Sequence, residues 1–514
     1  MSESSASYRL TNLDASFLYQ ESAVSQMHGG LIMFLDGELP FEKLFKHIEE
    51  RLPVSQRFRQ RLVFPPLNLA HPTLEDDPDF KLENHVHHRQ LPDGTSEADA
   101  IKEILHYNNS RLLDRTRPLW CLTLFEGLPG RSLLLWEMHH AIVDGVSFFA
   151  LLNRTLDFTP NPPAVEPPAE PWTPKPLPSS GEAYMRAMRD LMVEQIDATT
   201  RNASEFMRDP LGVIQRAQST LTDSGRVMSE TAQTNAIATP WNSASVTEER
   251  TVAWLKIPFA EFRAIRTALG GTINDVVLAI LGEGAARYLK DHGWPTEGKF
   301  RIGCPVNVRR PGEQVTLENR VSIMMPMTPA HPMDVAERLA GIVTETKRIK
   351  ESGAPHAIEQ MTSNNSVPPA MLAAIGRTGA QQLEAAAQLI KASNWKPSPS
   401  APNAPVTGIN FMATNVPGPQ AAWYLAGHEV TDWISCIPLA GNLGLGVVIT
   451  SYNQYMFFTL TAEPRLLPDV ERLKEFIHEA YEELRQHVPA EVRELQGGAP
   501  QVAKRPQPAQ AASA

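Results

Sequence analysis

Leu133-Leu134-Leu135-Trp136 is an apolar run that leads into Met138-His139-His140-Ala141-Ile142-Val143-Asp144-Gly145. A short apolar run bounded by turn signals suits a buried strand. Val146–Leu156 downstream reads as a helix. The two histidines therefore fall at the end of a strand, just before a helix, where rigid elements present catalytic side chains from a loop. Histidine is the side chain best suited to move a proton near pH 7. A carboxylate four residues on can fix the ring's tautomer or hold the loop, and Asp144-Gly145 makes the tight turn that lets it fold back. The same residues also suit a structural histidine pair beside an Asp-Gly turn, and the local pattern leaves both readings open.

The flanks of this stretch mix element types. Gly30–Leu35, Phe58–Phe64, Phe80–Val86 and Leu119–Leu124 read as strands, and Phe41–Leu52 and Glu97–Leu113 as helices. The block 1–158 is thus one mixed α and β unit. Nine prolines between Pro160 and Pro178 follow it. Proline fixes φ and removes a backbone donor, so this run excludes a helix or a central strand and reads as an extended connector. Beyond it, residues 181–222 read as helical. Met185, Met188, Met192 and Ile196 form an amphipathic stripe with Tyr184 and Leu191 beside it. The stripe suits a helix packed on the protein. It equally suits a surface touching lipid, with Arg186 and Arg189 facing headgroups.

The connector and helical insert span 159–238. A second mixed unit is expected over 239–495, with helices at Phe259–Leu269 and Thr272–Lys290. A hairpin is expected from Leu443–Thr450 and Tyr455–Thr461 around Asn453. A last helix follows Asp469 as N-cap. The tail 496–514 is Gln, Ala and Pro without a period and reads as disordered. At 514 residues the chain is long enough for about three domains of roughly 150 each. The pattern resolves into two halves, an insert and a tail.

Composition removes several classes. Net charge is −11, against a dedicated nucleic-acid binder that neutralises phosphates with Lys and Arg. The apolar runs, such as Leu31–Leu35, fall far short of the ~20 residues that span a bilayer. The N-terminus has no basic and apolar leader pattern. Three scattered cysteines, Cys121, Cys304 and Cys436, give neither a disulfide framework nor a metal-binding spacing. A cytoplasmic setting is expected, with peripheral contact at an inner membrane or lipid inclusions. His85, His87 and His88 lack carboxylate or thiol partners and read as a partly exposed strand edge, so no metal site is expected. No G-x-S-x-G appears, against an α/β-hydrolase lipase.

His139-His140-xxx-Asp144-Gly145 resembles the HHxxxDG motif of the coenzyme A-dependent acyltransferase superfamily. The chain as a whole resembles its bacterial wax ester synthase/diacylglycerol acyltransferase family. That likeness extends through Leu10–Phe17 with Met27–Gly30, the Pro118-Leu119-Trp120 motif, the Asn274-Asp275 motif, and Asn415-Val416-Pro417-Gly418-Pro419. The resemblance implies an α/β fold with two chloramphenicol-acetyltransferase-like domains joined by the proline-rich linker, and a site at their interface. It implies that His140 is a general base taking the proton from a fatty alcohol or diacylglycerol, whose oxygen attacks acyl-CoA. It places His139 and Asp144 with His140 in the catalytic set, Asp144 as a loop organiser acting through an arginine, Arg309 or Arg310, and Gly145 as a supporting motif residue. No cofactor is expected beyond acyl-CoA as substrate. Pro118 and Trp120 read as packing residues. Thr272 and Asp275 also fit a capping box, and Asn274 suits a hydrogen bond near the reacting carbonyl. An acyltransferase acting on a polyketide or carrier-bound substrate, or a non-catalytic lipid-surface protein, are the alternatives.

Overall fold

The computed structural model describes residues 7–168, 170–209, 236–307, 319, 321–352, 368–393, 395–400, 405 and 408–491. The chain is α/β, and two mixed sheets dominate it beside a small three-stranded one in the order β1 (Tyr8–Arg9), β4 (Thr73–Asp76), β3 (Gln60–Val63). Six strands make the first, in the order β13 (Tyr424–Leu425), β14 (His428–Cys436), β2 (His28–Asp36), β7 (Arg131–His139), β6 (Trp120–Glu126), β5 (Val86–Gln90). The second runs β10 (Val321–Met324), β9 (Lys299–Asn307), β12 (Phe411–Pro417), β15 (Leu445–Tyr452), β16 (Tyr455–Ala462), β8 (Thr251–Pro258), with β11 (Met327–Pro329) also on β9.

Strand β7 carries the apolar run Leu133–Trp136 at its centre because both of its faces are covered there. Leu134, Trp136 and Met138 enter one core with Leu31 and Met33 of β2. Leu133 and Leu135 enter another, with Ile101 and Ile104 of the helix Glu97–Asn109. The second sheet is covered by helices Ile273–Asp291 and Val470–Gln486. These approach closely at Gly284, where a Cβ would meet the Ile477 amide nitrogen at 2.9 Å.

The halves are joined by more than the connector. Strand β14 returns from the C-terminal half to pair with β2, Cys436 opposite Gly30. Helix Pro369–Ala392 packs on helix Asn12–Gln20. Between the sheets, Trp433 Nε1 donates to Thr450 Oγ1 at 2.8 Å, and its ring lies 4.3 Å from that of Tyr452.

Several elements differ from the sequence reading. Phe80–Val86 is not a strand: Leu82–Asn84 is a short 3-10 turn and the strand starts at Val86. His85 is buried rather than at an exposed edge, its ring stacked between Phe80 and Trp120. Asp469 does not cap the last helix with its side chain. Its carboxylate instead accepts from His292 Nε2 (2.8 Å) and from the Tyr288 hydroxyl. The Tyr455 hairpin turns at Asn453 and Gln454, both at positive φ (44° and 68°), as a two-residue hairpin turn requires. Helix Ser180–Arg208 covers only part of the expected 181–222, and residues 210–222 lie outside the described residues, as does the tail.

Candidate active site

His139 is the last residue of β7, opposite His28 of β2. Its ring is fully buried. The Ala141 amide donates to His139 Nδ1 at 2.9 Å, which leaves the ring proton on Nε2. That nitrogen lies 3.2 Å from Glu21 Oε1, at an angle short of an ideal hydrogen bond. Glu21 also accepts from Arg115 Nη2 (2.9 Å) and from the Met27 amide (3.1 Å). Burial pushes the Glu21 carboxyl up, but His139 and the Arg115 guanidinium outweigh it and hold the group down at about 2.

His140 follows, where the chain leaves the sheet. Its amide donates to Met27 O at 2.9 Å and its carbonyl accepts from Asn319 Nδ2 at 2.7 Å. Its ring stacks on Phe17, centroids 5.3 Å apart. Among the described residues no side chain hydrogen-bonds either ring nitrogen. The residue sits deep in the molecule and is partly accessible. Burial pushes its pKa down to about 4, aided by His139 and opposed by Asp144. The ring is therefore neutral at pH 7, with a lone pair on one nitrogen.

Asp144 is the N-cap of helix Gly145–Thr155 and accepts from the Ser147 amide at 2.7 Å. It holds the loop; the carboxylate beside the histidine pair is Glu21. Arg309 and Arg310, the expected partners of Asp144, lie outside the described residues. Gly145 touches the C-terminal half, where a Cβ would come 3.1 Å from Val416 Cγ2 on β12.

The remaining motif residues support the frame. Pro118 accepts from the Trp120 amide, and Leu119 O accepts from the His139 amide. The Trp120 indole donates to Phe58 O and stacks on His85. From the same segment it is Arg115, unremarked in the sequence, that reaches the site through Glu21. Asp275 completes a capping box with Thr272 and accepts from Thr346 Oγ1 at 2.8 Å. Among the described residues, no hydrogen bond or ring contact joins Asn274 or Asp275 to the histidines.

The neutral histidine thus lies just past the end of a central strand, where two mixed α/β halves meet. Residues 10–277 match the wax ester synthase/diacylglycerol acyltransferase catalytic domain and residues 317–485 the WS/DGAT C-terminal domain. The chain belongs to that family. It is 27% identical over 486 residues to a protein of Mycobacterium tuberculosis named as a probable diacylglycerol O-acyltransferase, covering 92% of this chain and 94% of that one. It is 25% identical over 474 residues to the O-acyltransferase WSD of Acinetobacter baylyi, with 91% and 94% covered. The wax ester synthase/diacylglycerol acyltransferase of Marinobacter aquaeolei superposes with a TM-score of 0.60 at 20% identity, over 93% of this chain and 99% of that one. The first condensation domain of the CDA synthetase shares the fold at a TM-score of 0.57 and 15% identity, over 95% and 98%.

Proposed function

We propose that His140 is the general base for acyl transfer from a long-chain acyl-CoA to a fatty alcohol or diacylglycerol. As a member of its family the chain is an acyl-CoA-dependent O-acyltransferase. One observation carries the role of His140: a neutral, partly accessible imidazole whose ring nitrogens meet no hydrogen-bond partner among the described residues, held by its own backbone at the junction of the halves. The ring takes the hydroxyl proton as the alcohol oxygen attacks the thioester carbonyl. The carbon–sulfur bond then breaks, and coenzyme A leaves with the proton returned by the imidazolium. A positioned base supplies ~10²–10⁴-fold. Proximity of the two substrates and stabilisation of the oxyanion supply the rest. No covalent acyl-enzyme enters. The three cysteines are buried, and burial pushes each thiol up to about 12, far from a usable nucleophile. The reaction needs no cofactor.

The substrates are lipids, and we place the chain in the cytoplasm, peripheral to a membrane or lipid inclusion. No single described helix is long and apolar enough to cross a bilayer. Most of the sequence stripe does not pack inward: helix Ser180–Arg208 buries Ala183 and Ala187, half-buries Met188 and Leu191, and turns Met185, Met192 and Ile196 outward, each at least 60% exposed. Arg186 and Arg189 are engaged at the surface by Glu75 and Asp190. This helix and Pro369–Ala392 both touch the turn Pro66–Asn68, whose Leu67 is 80% exposed. Apolar side chains around such a turn suit contact with a lipid surface.

Product analysis with long-chain acyl-CoA and two competing acceptors, hexadecanol and diacylglycerol, tests the reading. Wax ester or triacylglycerol is expected, with coenzyme A released in equal amount. Coenzyme A release that depends on neither acceptor would overturn it.

A further inference from the structure

We propose that Glu21 is a positioning residue for the acyl transfer, acting on His140 through His139 and through the chain segment 21–27. The inference rests on the reading of His140 as the base.

Glu21 has a fully buried carboxylate, and such a charge is tolerated away from water only where donors surround it. Two of the groups that face it lead to His140. His139 Nε2 is the first, 3.2 Å from Glu21 Oε1: with the ring proton on that nitrogen, the ring presents Nδ1 to the Ala141 amide. His140 is thereby bracketed between a ring and an amide that are joined to each other. The Met27 amide is the second, and the carbonyl of Met27 receives the His140 amide. One carboxylate thus ties both sides of the turn that carries the base. His139 and the Arg115 guanidinium keep it ionised.

The segment is also fastened to the C-terminal half. Ser25 Oγ donates to Leu439 O (2.9 Å), Arg250 Nη2 to Val24 O (3.2 Å), and the Ala23 amide to Glu384 Oε1 (2.9 Å). It then enters β2 at His28, and Gly29 passes the reacting ring, where a Cβ would lie 3.6 Å from His140 Nε2. Glu21 is therefore the point where the packing of one half on the other is transmitted to the base.

The test compares Glu21→Gln, Glu21→Asp and Glu21→Ala with the parent enzyme and with His140→Ala, each assayed well below its melting temperature. The expected result is a fall in kcat of about ten- to a hundredfold in Glu21→Gln and more in Glu21→Ala. KM for both substrates stays within about twofold, and Glu21→Asp recovers part of the loss. Histidine-labelled nitrogen NMR, with His139 assigned by its loss in His139→Asn, reads the ring directly. Nε2 is protonated and Nδ1 is not in the parent, and Glu21→Gln mixes the tautomers. The inference is overturned by kcat within about twofold of parent in Glu21→Gln and Glu21→Ala while His140→Ala is inactive. It is equally overturned if the loss vanishes once the variants are assayed in their fully folded range. Turnover in His140→Ala would instead sink the base assignment, and the His139 spectrum would still report its tautomer.

Discussion

Gly145, which closes the histidine motif, lies against Val416 of the Asn415–Pro419 segment: a Cβ on the glycine would stand 3.1 Å from Val416 Cγ2. Two motifs far apart in sequence are one contact in space, and that contact joins the halves. Gly145→Ala is expected to cost ~1–3 kcal/mol by overpacking. Val416→Ala removes the obstruction, so the double variant should lose less than the sum of the singles. A double-mutant cycle by denaturant unfolding measures this. Strict additivity would place the two residues out of contact.

Asp144 caps the helix that follows the histidines. Asp144→Ala is expected to lose at least the ~0.5–2 kcal/mol of an N-cap, with Asp144→Asn retaining most of it. Melting curves of the two variants decide. Equal melting temperatures for Asp144→Ala and the parent would remove the capping role.

Asp275 is bound by Thr272 and Thr346 and touches neither histidine among the described residues. Asp275→Ala is expected to cost ~1–3 kcal/mol from the lost cap and buried bond. Turnover per folded molecule stays within about twofold of parent. Activity lost without any loss of stability would point to a direct part in the chemistry.

The local patterns were legible, and the long-range ones were not. The strand ending at His139 and the helices at Phe41, Phe259 and Ile273 follow from apolar periodicity, and the Thr272 box from its spacing. The return of β14 to β2 has no local signal, because backbone pairing across most of the chain leaves no period in either strand. Glu21 was missed for the same reason. A carboxylate just past a helix end looks solvated, and only the fold brings it under His139. The sequence offered Asp144 instead because it is near. Asp469 was legible as a cap by type, but Tyr288 and His292 from the neighbouring helix take its carboxylate first. The outward turn of Met185 and Ile196 follows from the face this helix buries, which carries Ala183 and Ala187.

The pH profile follows from the burial of His140. Its pKa is pushed down to about 4, so the neutral, base-competent ring persists well below neutrality and is lost only as pH falls through that value. The acid limb of kcat/KM is therefore expected near pH 4, below the ~6.5 of a free histidine. An acid limb at or above about pH 6.5 would show that the ring titrates as if solvated.

The most direct test of the account is the rate of coenzyme A release by His140→Ala with long-chain acyl-CoA and hexadecanol, alongside its melting temperature. The account predicts a fall of at least ~10²-fold with an unchanged melting transition. Near-parental release from a folded His140→Ala protein would contradict it.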